Sequence, residues 1–202
     1  MADVKFKVIR TVVPSSVIWQ DITDTGFGTP KAAIVLVNKP TADDTTTDGT
    51  LIGFGMYDGS SYSTYLADSE NAQTTTNTQS GLRASWVIVN SDNHTSINKV
   101  STGQLITDGL RLKWSNVGND QNHLTVILLG GADLSAKVGN LVALSAGNTV
   151  TGIGFQPDAI IAHTAMRTGD GIQADLISAL GFASSTSSGS IAIASDGNSA
   201  TS

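Results

Sequence analysis

The chain has 202 residues, a formal net charge of −6, 40 % hydrophobic and 14 % charged residues, and no cysteine. An acidic chain repels nucleic-acid phosphates and anionic membrane surfaces, so neither is an expected partner, and disulfides and thiolate metal sites are excluded. The polar remainder is Thr, Ser, Asn, Asp and Gly, which favour strands and turns and make poor helix interiors.

Met1 to Val8 alternates polar and apolar residues, unlike a secretory leader, and no run reaches the roughly 18 apolar residues of a membrane helix. Val4, Phe6 and Val8 share one face of an extended segment, with Lys5 and Lys7 on the other, which predicts a half-buried strand ended by Pro14. Residues 1–16 read as an N-terminal arm. Val17-Ile18-Trp19 begins the next strand, and Gly26 to Pro30 is a turn. Ala32 to Val37 is a continuous apolar run, the pattern of a strand covered on both faces. Leu51 to Tyr57 is a strand in which Gly53 and Gly55 point to a bulge or a close neighbour. Asp58-Gly59 turns the chain into Tyr62 to Ala67.

Residues 68–80 are polar and read as loop. Leu82 to Val89 is a strand, with Leu82, Ala84, Trp86 and Ile88 on one face. Leu110, Leu112 and Trp114 alternate with Arg111 and Lys113, the clearest period of two in the chain. Leu124 to Leu129 is another buried run, closed by Gly130-Gly131. The best helical candidate is short, near Asp133 to Val138.

Much of this returns about 127–128 residues later. Ile22 to Phe27 matches Val150 to Phe155. Pro30 to Ile34 matches Pro157 to Ile161 after a one-residue slip, and Ile52-Gly53-Phe54-Gly55 matches Leu180-Gly181-Phe182-Ala183. The expected fold is all-β: an antiparallel β-sandwich with jelly-roll-like topology, one complete module over 17–138, a linker over 139–149, and the front half of a second copy over 150–202. Gly26, Phe27, Pro30, Gly53 and Phe54, with Gly154, Phe155, Pro157, Gly181 and Phe182, are the structural repeat positions. The two Gly-Phe turns are expected to plug the sandwich end, and the prolines to set the start of the next strand. A half sandwich exposes an apolar face. The expected remedy is a natural polypeptide that continues past Ser202; a neighbouring subunit, or packing on the first module, are the alternatives.

Few residues point to chemistry. His94, His123 and His163 share no metal-ligand spacing and read as locally bonded. No G-x-S-x-G elbow marks a serine nucleophile. Asp43, Asp44 and Asp48 offer oxygens to a hard cation but depart from the EF-hand pattern, so a solvated acidic loop is expected there, as at Asp68 and Glu70. Gly26-Phe27-Gly28 lacks the following helix of a nucleotide fingerprint. Trp86 and Trp114 sit in core patterns. Tyr57, Tyr62 and Tyr65 flank a turn and are the residues expected to meet a ligand. No catalytic residue, metal or cofactor is expected.

The motif at Gly26 to Ile34, then Gly53 to Gly55, Gly109 to Trp114 and Leu124 to Leu134, echoed at Gly154 to Ile161 and Gly181 to Ala183, resembles structural proteins of tailed bacteriophages. The resemblance implies a non-catalytic virion component, either capsid decoration or head fibre or a tail appendage, made in the host cytoplasm. Its partners would be other virion proteins and copies of itself, with a trimer favoured by analogy with phage fibres and the N-terminal arm as a dock. The second reading is a lectin-like module that binds a host surface glycan.

Overall fold

The computed structural model describes residues 3–40, 42–45, 50–70, 77–83, 87–90, 99–117, 121–140, 149–164, 171–174 and 176–195. They form β1 (Lys5–Val12), β2 (Trp19–Thr23), β3 (Ala32–Asn38), β4 (Thr50–Tyr57), β5 (Tyr62–Glu70), β6 (Asn77–Arg83), β7 (Ile88–Asn90), β8 (Lys99–Ile106), β9 (Gly109–Asn116), β10 (His123–Gly130), β11 (Ala159–Thr164), β12 (Gly171–Ala174), β13 (Leu176–Ser184) and β14 (Ser188–Ser195). There is no helix among the described residues. The Asp133 to Val138 candidate is the end of a turn followed by chain without regular secondary structure. Its backbone is claimed by tertiary partners: Asp133 N–H donates to the Asp3 carbonyl at 3.1 Å, and Val138 N–H to the Asp58 carboxylate at 2.8 Å.

Two antiparallel sheets face each other, as expected of a sandwich. One runs β1-β10-β3-β4-β5-β6-β12 and the other β2-β9-β8-β7. Within them β3 to β6 and β7 to β9 pair with their sequence neighbours as meanders. The core lies between the layers. Ala33, Val35 and Val37 of β3, Leu66 of β5 and Leu124, Val126 and Leu128 of β10 meet Ile22, Ile88, Leu110, Leu112 and Trp114 of the second sheet. Each such Val, Leu or Ile side chain contributes about 1.5–3 kcal/mol by leaving water. Ile34 is also buried on the opposite side of β3, so the continuous apolar run does mark a strand covered on both faces.

The Gly-Phe-Gly turn is locked to the β8–β9 hairpin. Asp108 accepts the Gly28 N–H on its side chain at 2.7 Å, and its backbone carbonyl accepts the Asp24 N–H at 2.8 Å. Gly26 holds φ +86°, a left-handed value that a side chain disfavours. Phe27 then folds under Gly130 and joins the core. Gly55 marks a close neighbour: a Cβ there would overlap the Val87 carbonyl of the facing layer.

The N-terminal arm differs from its expectation. It pairs with β10, with Phe6 opposite Leu129 and Val8 opposite Ile127, and forms the edge of the module's own sheet. That register turns Val4, Phe6 and Val8 outward, so the apolar face is the exposed one, with Phe6 at 73 % exposure. Ile9 packs against the core instead, and Lys7 reaches Asp24 at 2.8 Å.

The supposed loop 68–80 is in part strand, because β5 runs to Glu70 and β6 begins at Asn77. Backbone pairing of Glu70 with Asn77 through Thr64 with Arg83 holds these polar residues in a sheet. The predicted strand Leu82 to Val89 is two strands in different sheets, with residues 84–86 outside the described ones.

The second repeat supplies a three-stranded sheet, β11-β13-β14, while β12 adds to the first module by pairing with β6. Its opening turn copies the first in backbone: Gly154 has φ +86°, the value of Gly26. The strand register does not copy. Ile34 pairs with Met56, but its counterpart Ile161 pairs with Phe182, the counterpart of Phe54. A shift of two residues keeps every side chain on its original face. Phe155 does not plug a sandwich end: it is 36 % exposed where Phe27 is 8 % exposed.

Candidate functional site

The three tyrosines are not placed to meet a ligand. Tyr57 and Tyr65 are buried and Tyr62 is half-buried. Tyr57 and Tyr62 close the β4–β5 hairpin as a directly opposed pair, and their rings stack at 4.6 Å and 7°. The Tyr57 hydroxyl donates to the Gly59 carbonyl at 2.9 Å, and that of Tyr62 to the Gly103 carbonyl at 3.4 Å. Burial, with the Tyr62 hydroxyl beside it, pushes the Tyr57 phenol up to about 12. These rings brace the hairpin against β8. Asp58 tightens the same turn by accepting the N–H groups of Ser60 and Ser61, at 2.9 and 2.7 Å. Burial works to raise the Asp58 pKa, but bonds from Val138, Ser61 and Ser60 outweigh it and hold the carboxyl below its usual range.

Tyr65 points to the other side of β5, into the contact between the repeats. There His163 of β11 lies against Phe54 at 5.5 Å, edge to face, and against Tyr65 at 6.0 Å. Its Nε2 is 3.0 Å from the Ser63 hydroxyl, and its Nδ1 is buried with no hydrogen-bond partner. Burial drives the His163 pKa down to about 4. The Tyr65 hydroxyl has no partner at hydrogen-bonding distance; burial raises its pKa and the nearby Ser178 hydroxyl offsets this only in part. Ser63 and His163 have the spacing of a nucleophile and its base. A triad also needs an acid on Nδ1 and an opening to a substrate. Among the described residues Nδ1 meets no acid, and Ser63 is buried. What the pair does here is join the two repeats: this histidine bonds far from its own strand, not locally. The signal was available in the repeat, where the counterpart of His163 is the apolar Leu36.

Asp43 of the acidic loop is claimed by a cation of the chain itself. Arg10 forms a two-pronged ion pair with Asp43, and His123 Nδ1 lies 3.2 Å from the same guanidinium. The hydrogen bond from Arg10 holds the Asp43 pKa below its usual value. Asp48 and His94 lie outside the described residues. No group of three or more His, Asp or Glu side chains suited to a metal occurs among the described residues. Asp68 is buried on the core side of β5, so it is no part of a solvated loop.

Of the tryptophans, Trp114 is buried at 1 % exposure and donates from Nε1 to Gln20 at 2.9 Å; Trp86 lies outside the described residues. Trp19 is 55 % exposed on the solvent face of β2. Lys113 Nζ and Arg111 Cζ lie 5.5 and 6.0 Å from its ring centre. Arg111 is held by Asp21 through two bonds of 2.6 and 2.7 Å.

Two shallow depressions lie on the surface of the described residues. One, of about 440 Å³, runs along β1 beside the Asp24 to Phe27 turn. The other, of about 390 Å³, lies on β11 and β13 around Ile160, Ala162 and Gly181. Exposed large apolar residues gather near both: Val4, Phe6 and Val8 at the first, and Ile160, Ile161 and Phe182 at the second. No family model, curated protein or solved structure matches the chain.

Proposed function

We propose that the chain is a non-catalytic structural component of a tailed-phage virion, of the capsid-decoration, head-fibre or tail-appendage kind, which assembles through β-surface contacts. The observation that carries this reading is the placement of large apolar side chains outside the core. Phe6, Val8, Ile160, Phe182, Ile191 and Ile193 are all exposed on edge strands or sheet faces. Such surfaces mark places where another protein packs. The motif resemblance at Gly26 to Ile34 and Leu124 to Leu134 supplies the virion context. Antibody raised against the purified chain should label density-banded particles induced from a host that carries the gene. Label confined to the soluble lysate would overturn the reading.

Trp19 favours one second reading, a glycan-binding surface. An exposed indole on a flat strand face, with Asp21, Arg111 and Lys113 around it, offers stacking and hydrogen bonds to a sugar ring. It would use Trp19 in place of Tyr57, Tyr62 and Tyr65. Glycan-array signal abolished by Trp19→Ala would establish it, and an array blank for the wild-type chain would remove it.

A further inference from the structure

We propose that the contact between the two repeats is an acid-released latch: when His163 takes up a proton, the β11-β13-β14 sheet lets go of β4 and β5 while the first module stays folded. This goes beyond the assembly reading and does not depend on it.

The second sheet has little else to hold it in place. Its Ile160, Ile161, Phe182, Ile191 and Ile193 are exposed. Among the described residues, none of the second repeat belongs to a buried apolar cluster. The cluster on this side of the first sheet is Tyr65 and Ala67, with Phe54 packed against them. His163 is the second-repeat side chain set against it, in contact with both rings and with the Ser63 hydroxyl. The other ties are the approach of β13 to β5 and β6 and the pairing of β12 with β6 over four residues. That pairing is between backbones and carries no titrating group, so it serves as the hinge.

The imidazole suits the contact only while it is neutral. A neutral ring has one N–H and one bare nitrogen, whereas the charged ring has two N–H donors. Ser63 can accept from Nε2, but Nδ1 is out of water and meets no acceptor among the described residues. A buried donor left without an acceptor costs most when it is charged. The described groups facing the ring are Phe54 on β4, Ser63 and Tyr65 on β5 and Leu180 on β13, with Ala162 and Thr164 beside it on β11. None is a carboxylate, and Tyr65, with its raised pKa, stays neutral in acid. Burial accordingly holds the His163 pKa down at about 4. Once the sheet swings away, water reaches both nitrogens and the ring returns to its ordinary value of about 6.5. The core of the first module holds no histidine or carboxylate, so the same proton has no counterpart there.

The chain has no cysteine, so a single introduced thiol reports opening without ambiguity. Ala67→Cys places one at a buried position on the same side of β5 as Tyr65, and Ala33→Cys places one in the core of the first module. Dithiodipyridine labels thiols in acid, and each rate is divided by that of the unfolded chain at the same pH. Between pH 7.5 and 4.5 the ratio at Ala67→Cys should rise about 70-fold, the change that pKa values of 4 closed and 6.5 open give by linkage. The ratio at Ala33→Cys should stay level, and so should that at Ala67→Cys when His163→Leu is added. Circular dichroism verifies folding, and His163→Phe serves if the leucine variant misfolds. In the wild-type chain the His163 imidazole resonance should titrate well below the ordinary histidine range. A flat ratio at Ala67→Cys, an equal rise at Ala33→Cys, a rise that persists without His163, or an imidazole that titrates at 6.5 or above would each overturn the proposal.

Discussion

The two repeats carry the same turn but bury it differently. Gly26 and Gly154 share a φ of +86°, and each is followed by Phe and then by a proline before the next strand. In the first module Phe27 lies in the core; in the second Phe155 is exposed. Ile34 and Ile161 diverge in the same way, at 8 % and 37 % exposure. The local motif therefore specifies backbone path and the face each side chain takes. Burial is set by what is stacked upon that face, which for Phe27 is the core against the β2-β9-β8-β7 sheet and for Ile34 is the opposite side of β3.

The largest expected effect follows from this. Phe27→Ala should cost about 3–5 kcal/mol, the usual range for a buried Phe truncated to Ala. Phe155→Ala should cost under about 1 kcal/mol, since little area is recovered from water. Urea melts followed by Trp114 fluorescence measure both. Equal losses at the two positions would mean that the second turn is packed as tightly as the first.

The contact between the repeats sharpens the comparison through pH. The His163 pKa in the folded chain is about 4, below the ordinary histidine value of about 6.5. A depressed folded pKa means that the stabilisation is fully present above about pH 6.5 and is lost as pH falls towards 4. The groups facing the imidazole are Phe54 of β4 and Ser63 and Tyr65 of β5, with Leu180 paired to it on β13; among these only Tyr65 titrates, far above this window. The full loss is up to about 3 kcal/mol. Protection against amide exchange, corrected for the intrinsic pH dependence of the exchange, should therefore fall at β11 and β13 between pH 6.5 and 4.5 more than at β3. His163→Leu, which restores the residue type of Leu36, should flatten that difference. An unchanged pH profile in the variant would show that another group is responsible.

How much of this was legible in the sequence depends on which feature set the outcome. The alternation Leu110, Leu112, Trp114 marked an inward face, and these side chains are buried, because a strand packed on one side leaves a period of two. β8 left no such trace: Ser101 and Gly103 occupy inward positions, chosen for size beside Val87 and Tyr57 and not for apolar character. Burial of Tyr57 of β4 and Tyr65 of β5 on opposite sides of one sheet depends on that sheet having a cover on both, the core on one side and His163 on the other. No local pattern reports the second cover. The arm failed for a related reason: alternation gives two faces, and only the pairing of Phe6 with Leu129 decides which is outward.

A smaller effect separates the repeats at a single equivalent pair. Gly55 and Ala183 occupy the same motif position. A Cβ at Gly55 would overlap the Val87 carbonyl, which is backbone and cannot swing aside. Gly55→Ala should therefore cost about 2 kcal/mol, within the range for overpacked cores. The second repeat already carries that methyl, and Ala183→Gly should change stability by less than about 1 kcal/mol through chain entropy alone. Thermal melts of both variants decide it. A tolerated Gly55→Ala would mean that the sheets separate readily at β7, contrary to the core described.

The smallest effect concerns the segment that leads from one repeat to the other. Val138 N–H donates to Asp58, and Asn140 Nδ2 donates to the Tyr62 carbonyl at 2.8 Å, so the chain leaving the first module is tied to the tip of the β4–β5 hairpin. The corresponding hairpin of the second repeat, Ser184 to Ser187, is held by serine bonds of 2.7 to 3.4 Å and has no carboxylate. Asp58→Asn keeps the shape and removes the charge, and should cost about 1.5 kcal/mol, the low end for a charged hydrogen bond. Because the folded Asp58 pKa is depressed, its contribution is present above the ordinary carboxylate pKa and lost as pH falls through the folded value. The wild-type and Asn chains should therefore converge in stability in strong acid and differ at neutral pH. A constant gap between them at every pH would assign the loss to altered geometry at the turn and not to the charge that anchors Val138.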